Sequence, residues 1–133
     1  MPKKQPKPGG KFKHRTLIRD ATAILQDEWG WNVAIDSEYS TDAGQAVKPD
    51  IVAIPPDALK RRGEKLGWLE FQTANIREKS IEAVDRFYDG LNRTFTEPLI
   101  IDVSKVWDDS TAKRFGLLRA YFEMRYPKWR KRL

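Results

Sequence analysis

Two short apolar runs, residues 48–54 and 67–72, constrain this chain most, because each brings a carboxylate into a segment otherwise suited to a buried strand. Asp50 opens the first, ahead of Ile51, Val52, Ala53 and Ile54, and Glu70 lies inside the second, between Leu69 and Phe71. Neither run alternates, the pattern of a strand covered on both faces. An isolated carboxylate in such a place is costly unless it is paired, liganded or protonated. Two such acids together call for a cation. It is either a Lys or Arg side chain or a divalent metal ion held by oxygen ligands and water, and a metal opens a route to hydrolytic chemistry.

The remaining elements read outward from these runs. Over residues 13–29, Leu17, Ala21, Ile24, Leu25 and Trp29 share one helical face, Gly30 supplies the stop, and Asp20 borders that face. Residues 31–39 alternate as a half-buried strand, and the polar stretch 40–45, with Ser40, Thr41 and Gly44, reads as a turn. Pro55-Pro56 ends the next strand. The following connection is dense in Lys60, Arg61, Arg62 and Lys65, which suits either phosphate contact or a solvated hairpin tip.

Ser80 caps a helix carrying Ile81, Val84, Phe87, Tyr88, Leu91 and Phe95, and Leu99, Ile100, Ile101 and Val103 form a further strand after Pro98. Ser110 or Thr111 caps a last helix with Phe115, Leu118, Tyr121 and Phe122. The order helix, strand, strand, strand, helix, strand, helix predicts an α/β fold. Its mixed sheet has about four strands, flanked by helices on both faces.

With 133 residues, 40% of them hydrophobic, the chain suits one core. Residues 1–11, with Pro2, Pro6, Pro8, Lys3, Lys4 and Lys7, read as a flexible basic arm, and residues 12–133 as the single folded domain. A formal net charge of +6 favours a polyanionic partner or marks a merely basic surface. Cysteine is absent, which excludes disulfides and thiolate metal sites. The single histidine, His14, stands in a basic run and reads as a phosphate or solvent contact. No apolar stretch has the length of a membrane span or a signal peptide, so the expectation is a soluble, intracellular, cytoplasmic protein without a membrane partner.

Pro49-Asp50 followed by Glu70-Phe71-Gln72, on consecutive strands after a leading helix with an acid, resembles the PD-(D/E)XK nuclease superfamily over about residues 12–126. The resemblance implies a restriction-endonuclease-like fold and a Mg²⁺-dependent nuclease hydrolysing phosphodiester bonds in DNA, with Mn²⁺ as a substitute ion. Asp50, Glu70 and the carbonyl of Phe71 would be the metal ligands. Asp20 would be the helix acid, with Glu28 as its competitor. Gln72 stands where the family has lysine. Its amide can hydrogen-bond a water or a phosphate but cannot accept a proton at neutral pH. Lys79, or Arg77, from the following helix would then replace the missing charge.

More narrowly, the leading helix, the Gly-aromatic stop and the turn with Ser40 and Thr41 are similar to archaeal Holliday-junction resolvases. This implies structure-specific cleavage by a homodimer, with Phe115, Tyr121 and Phe122 serving an interface or the core. Two further readings stay open: a catalytically inactive nucleic-acid-binding protein on the same fold, and a protein-interaction module whose carboxylates pair with Arg or Lys.

Overall fold

The computed structural model describes residues 10–40, 44, 46–61, 63–72, 88, 91 and 93–125. The first helix, α1 (Gly10–Ala23), begins inside the expected basic arm. It buries Leu17 and Ala21 completely and continues into a single π-helical turn, Ile24–Glu28, whose Ile24 and Leu25 are also fully buried. The Trp29 N–H reaches back to the Ile24 carbonyl at 3.2 Å, and Gly30 then takes φ +73°. A left-handed residue is the usual way to turn a chain out of a helix, and glycine adopts it without a Cβ clash. Trp29 and Trp31, on either side of this turn, are both buried.

The strand expected over residues 31–39 is shorter than its pattern. β1 covers only Asn32–Ala34, because Asp36 adopts φ +62° and breaks the extended backbone. Beyond that break, β2 (Tyr39–Ser40) pairs locally with β3 (Ala46–Val47). β4 (Ile51–Ile54) ends at Pro55-Pro56, as expected, and a one-turn helix, α2 (Asp57–Lys60), stands within the basic connection. β5 (Gly67–Gln72) is buried at every position, and β6 spans Leu99–Asp102.

Val103, expected as strand, instead starts a short helix, α3 (Val103–Val106). Asp102 caps it by accepting the Ser104 N–H at 3.0 Å, which halts the strand there. Ser110 precedes α4 (Thr111–Arg125), and its hydroxyl accepts the Lys113 N–H at 3.3 Å.

The main sheet has four strands in the order β1–β4–β5–β6, the first two pairings antiparallel and the last parallel. A meander followed by a crossover gives this mixture, as the element order predicts. Ile51, Ala53, Leu69, Phe71, Leu99 and Ile101 point to one face and pack with residues of α1, α3 and α4, among them Leu17, Val106, Leu118 and Phe122. Full burial of each such Leu, Ile or Phe side chain contributes about 1.5–3 kcal/mol.

The opposite face carries Val52 and Trp68, covered by Leu91 and Phe95, with the Trp68 and Phe95 rings 5.3 Å apart. Most of the helix expected after Ser80 lies outside the described residues. Phe122 is fully buried against Trp29, and Phe115 and Tyr121 pack partly buried against the core, so these aromatics serve packing. Among the described residues no helix is long and apolar enough to cross a membrane.

Candidate active site

The β4–β5 ladder pairs Ile51 with Leu69, Val52 with Trp68 and Ala53 with Gly67. Continuing that register by one step sets Asp50 opposite Glu70 at the open end of the hairpin, where facing Cβ atoms lie about 4.5–5.5 Å apart. The Phe71 N–H donates to Asp50 Oδ2 at 2.8 Å. The indole N–H of Trp68, two residues before Glu70 on the same face, donates to Glu70 Oε1 at 3.1 Å. The two acids singled out in the sequence therefore meet as one pair.

The pair is electrostatically asymmetric. Glu70 is buried, and its pKa is pushed up to about 9, first by burial, then by the charge and hydrogen bond of Asp50, against the indole of Trp68. Burial also works to raise Asp50, but the hydrogen bonds from His14, Glu70 and the Phe71 N–H outweigh it and hold Asp50 below the usual carboxylate value. At neutral pH Asp50 is the ionised member and Glu70 the protonated one, donating to it.

The basic group beside these acids is His14, which the sequence marked only as a phosphate or solvent contact. Its Nε2 lies 2.9 Å from Asp50 Oδ2. Its pKa is raised, chiefly by that hydrogen bond, against burial and with further help from the Asp50 charge and a hydrogen bond to the Phe71 main chain. The ring also meets the Phe71 ring edge-on at 6.3 Å. The imidazole thus contacts both Asp50 and the Phe71 backbone, two of the three expected metal ligands. A lone histidine on a leading helix has no spacing signature, so the only signal was its place in a basic run at the start of α1.

Asp20, expected as the helix acid of the site, has its carboxylate committed elsewhere. Arg114 Nε donates to Asp20 Oδ2 at 2.7 Å in a buried ion pair joining α1 to α4. The same guanidinium donates to the carbonyls of Asp108 and Asp109 and to the Thr111 hydroxyl. Glu28, the competing choice, accepts Arg119 through both carboxylate oxygens. Gln72 lies on the Glu70 face of β5, buried and paired in register with Asp102. Lys79, Arg77, Arg62 and Thr41 lie outside the described residues.

The basic connection is not beside the pair. Lys60, Arg61 and Lys65 are exposed at the closed end of the β4–β5 hairpin, and the carboxyls are near its open end. The four steps from Asp50 to Ile54 span about 13 Å of strand. A hairpin necessarily separates its turn from the start of its first strand. Ser40 is exposed on β2, ahead of the β3 segment that leads to Asp50.

A different basic group borders the acids. A half-open cleft of about 560 Å³ runs from His14 and Asp50 between Arg15, Ile18 and Arg19 of α1, Ile35 after β1, and Lys48. Arg15, Ile18, Arg19 and Thr22 recur at three- and four-residue spacing, so they form one helix stripe beside the core-facing Leu17 and Ala21.

Among the described residues no group of three or more His, Cys, Asp or Glu side chains could hold a metal ion. The oxygen donors gathered are two carboxylates and the main chain at Phe71. That set suits a hard ion that keeps several waters, such as Mg²⁺, and not zinc. The protonation of Glu70 is itself a sign that two adjacent carboxylates here lack full compensation. No protein-family model, no curated protein and no solved structure matches the chain.

Proposed function

We propose that this protein is a metal-dependent nuclease that hydrolyses phosphodiester bonds in DNA, on a restriction-endonuclease-like version of its mixed α/β fold. The observation that supports it most is the facing of Asp50 and Glu70 at the open end of the hairpin, with Asp50 tied to the Phe71 N–H. Asp50, Glu70 and the carbonyl of Phe71 would hold Mg²⁺, with Mn²⁺ as a substitute. The ion would supply Lewis-acid activation of water and neutralise charge developing at the phosphate.

The protein's own groups orient the reactants. Arg15, Arg19 and Lys48 attract the phosphate backbone to the cleft that ends at Asp50. The Gln72 amide, on the Glu70 face, orients water or a phosphate oxygen but takes no proton. Lys79 is the candidate for the charge that Gln72 lacks. Resolvase-like cleavage of branched DNA by a homodimer is the narrower form of this proposal.

A second reading has a specific observation in its favour. Gln72 stands where the resembled family has lysine, and His14 already occupies Asp50 with a hydrogen bond, an arrangement suited to a protein that binds nucleic acid without cutting it. Incubation with branched, single-stranded and duplex DNA in Mg²⁺ or Mn²⁺ separates the two. Cleavage lost in Asp50→Asn and Glu70→Gln supports the nuclease. Salt-sensitive binding with no cleavage of any substrate supports the binding protein.

A further inference from the structure

The cleft beside Asp50 has a mixed chemistry that phosphate attraction alone does not use. Its cations, Arg15, Arg19 and Lys48, enter no ion pair among the described residues, and together they favour a polyanion. Between them lie apolar surfaces from Ile18, Ile35 and Pro49, and Ile35 leaves 44% of its surface open. The volume of about 560 Å³ falls within the roughly 300–1,000 Å³ of pockets that enclose a small molecule. An occupant should therefore join an apolar surface to phosphate.

A paired duplex does not meet that requirement. Its ring faces are stacked on one another, and only base edges show in the grooves. A nucleotide swung out of the stack, or one in a single strand, presents a ring face to apolar walls and keeps its phosphates for the cations. Asp36, which also lines the cleft, offers carboxylate oxygens to the amino or imino donors of a base edge.

We infer that this cleft takes one unpaired nucleotide of a DNA strand, its base against Ile18, Ile35 and Pro49 and its phosphates at Arg15, Arg19 and Lys48, leading the adjoining phosphodiester to Asp50. The inference rests on the nuclease reading for the role of Asp50, but its binding test does not. The substrate class is single-stranded DNA or duplex with an extrahelical nucleotide.

The test uses the full chain in EDTA, with labelled oligonucleotides followed by fluorescence anisotropy. The set is a single strand, a blunt duplex, and the same duplex with one unpaired 2-aminopurine. The unpaired and single-stranded DNA should bind at least about tenfold more tightly than the blunt duplex, with a change in 2-aminopurine emission. Ile35→Ser, which removes the apolar wall without adding charge, should abolish that preference and leave duplex affinity within about twofold, since Ile35 is exposed. Arg19→Ala should weaken all binding and lower the salt slope by about one.

Equal affinity for all three DNAs, an unchanged preference in Ile35→Ser, or a free mononucleotide that binds more tightly than the strand when added as competitor would each overturn the inference. Adding Mg²⁺ in a parallel series keeps the two readings apart. Cleavage without preference for unpaired DNA defeats the cleft assignment alone, and preference without cleavage upholds it while defeating the nuclease.

Discussion

Asp50 and Glu70 face each other one step beyond the Ile51–Leu69 pair, and at neutral pH they hold one proton between them. His14 contacts Asp50 at 2.9 Å and, in its protonated form, balances the remaining charge. A strand pair with this composition is a poor way to stabilise a sheet, since a well-packed apolar pair would cost less to bury. On the reading proposed above, it would exchange its proton for a cation.

The pH dependence of stability follows with a definite sign. Glu70 binds a proton in the folded protein up to pH about 9, whereas the unfolded carboxyl releases it near 4.5. The metal-free fold is therefore increasingly penalised as pH rises between those values. His14, raised above 6.5, adds in the same direction: its stabilisation is complete below 6.5 and is lost as pH rises through its higher folded value. Asp50, lowered from 3.8, adds stability that disappears only as pH falls below that range. Urea unfolding in EDTA should show declining stability from about pH 6 to 9. Glu70→Gln should flatten the decline, and stability that instead rises over this interval would count against the protonated Glu70.

Divalent-ion binding should be coupled to proton release. If Mg²⁺ takes Asp50 and Glu70 as ligands, Glu70 must ionise, so apparent affinity should increase with pH. The Mg²⁺-dependent gain in melting temperature should be larger at pH 8.5 than at pH 6, should reverse with EDTA, and should vanish in Asp50→Asn. Calorimetry in buffers of different ionisation enthalpy would count the protons. A gain that is independent of pH and survives Asp50→Asn would place the ion elsewhere.

His14 offers a direct probe, because it is the only histidine. Its ring signals in an NMR titration should report a pKa above 6.5. In Asp50→Asn the main cause of the shift is gone and burial opposes the charge, so the value should fall below that of the native protein. An unchanged titration would mean that the imidazole does not contact Asp50 in solution.

The Asp20–Arg114 pair separates a structural role from a site role. Removing either partner leaves a buried charge uncompensated, so Asp20→Ala or Arg114→Ala should destabilise the fold by about 3–5 kcal/mol in denaturant unfolding. Asp20→Asn should be milder, since the amide oxygen can still accept from the guanidinium, and it should leave Mg²⁺ binding unchanged. Loss of ion binding in Asp20→Asn at full stability would return Asp20 to the site.

Much of this architecture is a local matter and can be read along the chain. The non-alternating runs around Asp50 and Glu70, the helical spacing of Leu17, Ala21, Ile24 and Leu25, and the Ser110 cap depend on neighbours within a few residues. Periodicity and capping therefore announce them. Shorter features escaped because their signals are weak. Asp36 at φ +62° cuts a strand whose alternation continues past it, and Asp102 converts the end of an apolar run into the cap of α3.

What the sequence alone determined is the two acid-bearing strands, the basic balance and the leading and closing helices. Only the tertiary structure decided which groups the acids meet. Burial of the Leu17 and Ala21 face orients α1 about its axis. That orientation brings His14 to Asp50 and turns Asp20 toward Arg114. Strand register, set by the buried Ile51 and Leu69, then brings Asp50 opposite Glu70. Such pairings join residues far apart in the chain, and they follow from how whole faces pack and not from any local spacing.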